Sequence, residues 1–416
     1  MDIFGLFWIL LSSIFIFLRY EYIFTLLIVS SLFQSGVAFK FGGSGLPVFY
    51  FIEILTIIKF SLPSRHNGFI NFFNKDSFKI FSYILIIWFL TYLNTVLFSG
   101  IKVFSPAFSF EYNYYVKGVP LAFSSGNINQ LVLITFNLIT LYVFYKRRNL
   151  LSPDDAMRAI IISVIIFSSY CFIWIINKPF ASIIEGVMYN AEHNANAVFE
   201  SRLSGTFGEP SFAGIFIGSL IPPLFFSNKK ILKIISVMML FFLYKNASTS
   251  GIFTFMVSLS LSFCIRGNLV KNALAIISII IFSGLIYFSF ETYITEYISN
   301  KSETGSGIVR QASNLNALNI LVDTFGLGAG VGSARISSLL FSVLANFGLW
   351  ATIYLVYIIV SFIRKSENVF SHSKKTLIMV LISAVLGSCS ANPDYSYAFI
   401  WGLIFCCMLT GENKKK

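Results

Sequence analysis

Two stretches of the 416-residue chain set arginine, glycine and acidic side chains at spacings that suit an anionic, oxygen-rich ligand. The first is Arg202-Leu-Ser-Gly205-Thr-Phe-Gly-Glu209-Pro210, which runs into an apolar segment. Pro210 suits the first turn of a helix, where no backbone donor is needed. Glu209 would then stand at the positive end of that helix, as a cap or as an acid/base group. Arg202 reads either as an interface anchor or as a ligand contact. The second stretch begins at Arg310 and ends in Gly326-Leu-Gly328-Ala-Gly330-Val-Gly332-Ser333-Ala-Arg335. Glycine at alternate positions frees the backbone for close approach, and successive N–H groups can form an anion nest. Arg310 and Arg335 can each present a bidentate fork to phosphate oxygens. The alternative is a flexible or close-packed loop. No strand precedes these glycines and Gly-Lys-Ser/Thr is absent, so neither a dinucleotide fingerprint nor a Walker loop is read.

Other residues carry weaker signals. Ser248-Thr-Ser250-Gly251 sits at a turn between two short apolar segments, where hydroxyls serve as helix caps or ligand contacts. His193 is a loop imidazole able to act as a base near neutrality. Glu53 lies inside an apolar segment, where a carboxyl is either paired or functional. Asp394, in Asn392-Pro-Asp-Tyr395, reads as turn chemistry. Cys171, Cys264, Cys389, Cys406 and Cys407 all fall within apolar segments, so they read as packing residues and not as a disulfide framework. No spacing suits zinc or calcium; no metal and no cofactor are expected.

The elements that must position these residues are hydrophobic. Apolar residues make up 56% of the chain, charged residues only 12%, and there are 48 Phe. That composition excludes a soluble enzyme and a disordered chain. Stretches able to cross a bilayer lie near 2–18, 22–39, 46–62, 80–98, 129–145, 158–176, 211–227, 231–245, 250–265, 272–290, 337–363, 377–391 and 397–411. The expected fold is all-α: one polytopic transmembrane domain over 1–416 with about 12–13 transmembrane helices. Basic clusters at Lys59/Arg65/Lys75/Lys79, Lys146-Arg147-Arg148, Lys229-Lys230, Arg266/Lys271, Arg364-Lys365/Lys374-Lys375 and Lys414–Lys416 are each separated by an even number of segments. One topology therefore gathers them on one face, which the positive-inside rule makes cytoplasmic along with the C-terminus. The net charge of +12 is then a sidedness signal and not a nucleic-acid signal. Longer loops at about 99–128, 177–210 and 291–336 fall on the opposite face, where long loops are usually functional.

In this order, the motifs resemble those of the Wzy-type O-antigen polymerases and the related O-antigen ligases. The residues that carry the resemblance are Arg202-x-x-Gly205-x-x-x-Glu209-Pro210, then Ser248-Thr-Ser250-Gly251, then Arg310 and Gly326-x-Gly-x-Gly-x-Gly332-Ser333-x-Arg335, followed by Asn346-Phe-Gly348. The resemblance implies a fold like that of the C-type membrane glycosyltransferases, working at the periplasmic face of a bacterial inner membrane. Its substrates would be undecaprenyl-diphosphate-linked oligosaccharide repeat units, with membrane lipid and a chain-length-regulating co-polymerase as partners. Arg202, Arg310 and Arg335, helped by the backbone of Gly328, Gly330 and Gly332, would hold the diphosphate. Gly205, Ser250 and Ser333 would position substrate, and Glu209 or His193 would act as base. Two positions depart from the pattern. Gly251 stands where relatives often carry Arg, and 291–336 holds no His, which disfavours the ligase and leaves the base open. A transporter or lipid-linked-oligosaccharide flippase is the rival outside the enzyme class, with mid-membrane charge as its expected mark.

Overall fold

In hydrocarbon a backbone must satisfy its own hydrogen bonds, so apolar runs of this length fold as helices. The computed structural model describes residues 2–41, 44–63, 68–70, 72–104, 118–191, 202–227, 229–266, 305–366 and 371–411. In chain order its α-helices are α1 (Ile3–Phe15), α2 (Tyr20–Ser30), α3 (Val48–Ser61), α4 (Lys75–Leu97), α5 (Ser125–Lys146), α6 (Pro153–Ile176), α7 (Lys178–Met188), α8 (Pro210–Phe225), α9 (Lys230–Asn246), α10 (Thr249–Arg266), α11 (Gly305–Asp323), α12 (Leu339–Lys365), α13 (His372–Ala391) and α14 (Ala398–Met408). Of these, α4, α5, α6, α12 and α13 are long and apolar enough to cross a membrane. The expected segment 272–290 lies outside the described residues.

Four expectations differ from the structure. The apolar run 22–39 is not one helix: α2 stops at Ser30, and Val37–Phe41 forms β1, paired antiparallel with β2 (Ser44–Pro47). The Ser30 and Ser31 hydroxyls bond back to the carbonyls of Leu27 and Ile28, which helps close the helix. Asn190 then holds β1 by accepting from Val37 N at 2.7 Å and donating to Val37 O at 2.9 Å. The loop 177–210 opens with a helix, α7. The loop 291–336 contains α11, which carries Arg310. Within 99–128, β3 (Lys102–Val103) pairs with β4 (Val119–Pro120) before α5 begins.

Contacts between chain turns define two ends of the bundle. At one end Lys59 bonds the α1–α2 turn, Lys365 pairs with Asp76, Ser373 bonds Asp154, and Gly411 N donates to Leu151 O. This is the basic end. At the other end Asp2 accepts from Asn190 Nδ2, Leu203 N donates to Lys245 O, and Tyr50 Oη donates to Ser396 O at 2.6 Å.

Phenylalanine builds much of the interior. Phe144 meets Phe24, Phe60 and Phe405 with ring centroids 5.0–5.5 Å apart. Phe216 meets Phe167, Phe207 and Phe399 at 5.0–5.3 Å. Where rings are absent, glycine lets helices touch. A Cβ on Gly251 would lie 2.8 Å from Gly214 Cα, so α10 packs on α8 backbone to backbone. Pro222 and Pro223 end α8, and the carbonyl of Ser219, which Pro223 cannot serve, accepts from Ser258 Oγ at 3.0 Å. Cys171, Cys389, Cys406 and Cys407 are free thiols.

Candidate functional site

A cavity of about 300 Å³ opens at the end of the bundle away from the basic face, and two carboxyls and a guanidinium line it. Glu209, Arg335 and Asp394 line it together with Gln34, Gln130 and Tyr395. These residues come from five separate parts of the chain, so the cavity exists only in the folded bundle.

Glu209 is the N-cap of α8, and its carboxylate accepts from Ser211 Oγ at 3.4 Å. Burial raises its pKa, while Arg335 and, more weakly, Arg310 act in the opposite sense. Asp394 sits in the turn between α13 and α14, accepting from Ser396 N at 2.8 Å. Burial raises it to about 6, the nearby Glu209 charge adds to the rise, and the Ser396 amide and Arg335 oppose it. The two carboxyls thus interact: burial raises the pKa of each, and Arg335 opposes the rise at both.

The glycine-rich stretch places Arg335, and it does so through an interrupted helix. Gly348 lies inside α12 with φ 75° and breaks its hydrogen-bond ladder. The loop 326–332 fits into the break: Ala329 N donates to Ala345 O at 2.7 Å, Gly330 N to Asn346 O at 3.0 Å, and Leu349 N donates back to Gly326 O at 2.8 Å. A Cβ on Gly328 would stand 2.5 Å from Gly348 N, so only glycine permits this approach. Three asparagines from three helices clamp the loop. Asn94 donates to Leu327 O and Gly328 O, Asn127 to Val331 O, and Asn346 to Ala334 O. Arg335 N donates to Phe104 O at 2.6 Å, which fixes the residue at the cavity edge.

The sequence-derived residues divide as follows. Glu209, Arg335 and Gly332 line the cavity, and Arg310 on α11 is close enough to act on Glu209. Gly328 and Gly330 give their amides to Thr324 Oγ1 and Asn346 O, and Val331 gives its amide to Thr91 Oγ1. These N–H groups work inside the protein, not toward the cavity. Ser333 is buried, accepts from Asn127 Nδ2 at 2.7 Å and donates to Ala329 O at 3.0 Å. Arg202 donates to Asn246 O at 3.2 Å and Ala247 O at 3.0 Å, where Ala247 ends α9 in the left-handed region. Gly205, at φ 62°, packs against the Phe167 ring and accepts from Tyr189 Oη. Ser250 is buried against Ser248, with hydroxyls 2.7 Å apart. His193 lies outside the described residues.

Asp394 enters the cavity although its sequence reads as a turn, and Gln34 and Gln130 had no signal of their own. Below the cavity a polar column continues into the bundle. Tyr50 Oη, which donates to Ser396 O, accepts from Asn137 Nδ2 at 3.2 Å, and Glu53 lies one turn further along α3. Glu53 is fully buried, beside the Thr140 hydroxyl. Among the described residues no three His, Cys, Asp or Glu side chains group as a metal site. No protein-family model matches the chain, and no curated protein matches it.

Proposed function

We propose that the chain is a membrane glycosyltransferase of the O-antigen polymerase kind, joining polyprenyl-diphosphate-linked oligosaccharide repeats at the face where the cavity opens. One observation carries this reading: two carboxyls whose pKa burial raises and an arginine, supplied by distant segments, converge on one cavity at one end of the helical bundle. Its volume is at the lower end for small-ligand sites, enough for the reacting ends of two amphiphiles whose tails stay in lipid.

The chemistry assigned to the residues balances. An acceptor hydroxyl oxygen bonds to the donor's anomeric carbon while the bond from that carbon to the diphosphate oxygen breaks. The hydroxyl proton passes to a carboxylate, Glu209 or Asp394, and the negative charge left on the lipid diphosphate faces Arg335 and Arg310. A carboxyl pKa near 6 suits a base working near neutral pH. The periplasmic side of an inner membrane, and a co-polymerase that sets chain length, belong to this proposal through the resemblance alone.

The test is elongation of a purified lipid-linked repeat by purified protein in detergent, with Glu209→Gln beside the wild type. Ladders from the wild type and their loss in the variant support the reading. Absence of elongation by the folded wild-type protein contradicts it. A second reading, transport of a lipid-linked glycan, has one specific observation in its favour, the buried column Tyr50–Asn137–Glu53 inside the bundle. Vesicle translocation without elongation would select it.

A further inference from the structure

Among the described residues the apolar face of α7 is left exposed, and its three stripes fit a helix lying in the plane of a membrane surface. At 100° per residue, Ala181, Glu185 and Met188 fall on one stripe. Ala181 and Met188 are buried, and Glu185 accepts from Tyr170 Oη at 2.5 Å. A second stripe carries Phe180, Ile183 and Val187, which are 50%, 67% and 41% exposed. The third carries Lys178, Ser182 and Gly186, all exposed. A helix between protein, water and hydrocarbon needs this three-way division.

We propose that α7 seats its Phe180–Ile183–Val187 stripe in the interfacial zone of the bilayer, on the side where the cavity opens. Three observations identify lipid as the occupant. The stripe continues the exposed apolar face of α6, where Phe172 and Ile176 are 41% and 80% exposed, so it extends a surface that already meets lipid. Only Asn177 separates α6 from α7, which puts α7 at the depth where α6 leaves the membrane. Lys178 stands over the Trp174 ring at 5.5 Å, a pairing of amphipathic side chains suited to the headgroup level. The helix is also tied to the cavity wall: Tyr189, just past its end, donates to Gly205 O in the segment leading to Glu209, and Asn190 holds β1. Lipid contact at α7 therefore sets the depth of that segment. The inference does not depend on the proposed reaction.

Spin labels placed singly at Ser182 and Ile183, in the full chain with its native cysteines replaced and reconstituted in nanodiscs, test it. A label at Phe172 on α6 gives the lipid-exposed reference. Oxygen collides preferentially with labels in lipid, and a soluble nickel chelate with labels in water. The Ile183 label is expected to match Phe172, with oxygen accessibility several-fold above nickel, and the Ser182 label to show the reverse. Equal nickel accessibility at 182 and 183 would overturn the proposal by placing α7 in water. Low accessibility of Ile183 to both reagents would overturn it by showing a protein partner on the stripe.

Discussion

The two arginine–glycine stretches have similar composition and opposite construction. In 202–209 the arginine is held by backbone, with Arg202 on the last carbonyls of α9, and the acid at the far end, Glu209, reaches the cavity. In 326–335 the glycines are the braced part, with Gly330 N and Gly326 O bonded across the break in α12 and Gly328 N bonded to Thr324 Oγ1, and the arginine at the far end reaches the cavity. Each stretch is thus a buried brace that ends in one charged residue at the same site. The lesson is that glycine beside arginine does not by itself mark a ligand loop. The partners of the amides decide it, and those are Thr324 and residues of α4 and α12.

Disturbing the braces should cost folding, and disturbing their tips should cost activity. The largest effect is expected at the glycine brace. Gly328→Ala places a Cβ against the Gly348 backbone and forces an L side chain to φ 79°. The left-handed backbone costs ~1–2 kcal/mol and the overpacking ~1–3 kcal/mol. Detergent-extracted protein should be sharply reduced, as fluorescence-detected size exclusion would report; a normal monodisperse yield would break the comparison.

Arg202→Ala should act more mildly. Removing its two carbonyl contacts at a half-exposed position costs about 1 kcal/mol. A lowered melting temperature with elongation retained would support the bracing role. Loss of elongation at an unchanged melting temperature would instead move Arg202 to the ligand.

The sequence made the membrane helices legible because hydropathy is a local property: the run 129–145 lies within α5, and 158–176 within α6. It hid the hairpin after α2, since Val37–Phe41 is as apolar as the end of a helix and only pairing with Ser44–Pro47 separates the two. It hid α11, whose polar composition reads as loop. Of the site, Glu209 and Arg335 were legible from their motifs. Asp394 was not: its neighbours Glu209 and Arg335 lie far away in the chain, and its raised pKa comes from burial. Nor could the use of the Gly330 amide be read, because its acceptor sits on α12.

Asp394 gives a pH test of the tips. Its folded pKa of about 6 exceeds the ordinary 3.8, so the folded state holds a proton that the unfolded chain releases. Stability from this group is full below about pH 4 and is lost as pH rises through about 6. Asp394→Asn should therefore melt higher than the wild type above pH 6, and the two should converge toward pH 4. Wild-type elongation should fall on the acid side of a midpoint near 6, where the base form disappears. A melting difference independent of pH would remove Asp394 from the coupled pair.

The smallest effect is expected under the cavity. Tyr50→Phe removes the hydrogen bonds to Ser396 O and from Asn137 Nδ2, worth about 1 kcal/mol each, so elongation should slow by several-fold at most while protein yield stays normal. Unchanged rates would detach the polar column from the site.

In the proposed reaction Arg335 meets the charge on a lipid diphosphate, and elongation by purified Arg335→Ala at matched amounts of folded protein measures this most directly. Loss of a fixed charge contact to a transition state costs ~3–4 kcal/mol, so the rate should drop by about 10²–10³ and long chains should vanish. Full-length ladders from that variant, formed at the wild-type rate, would contradict the account.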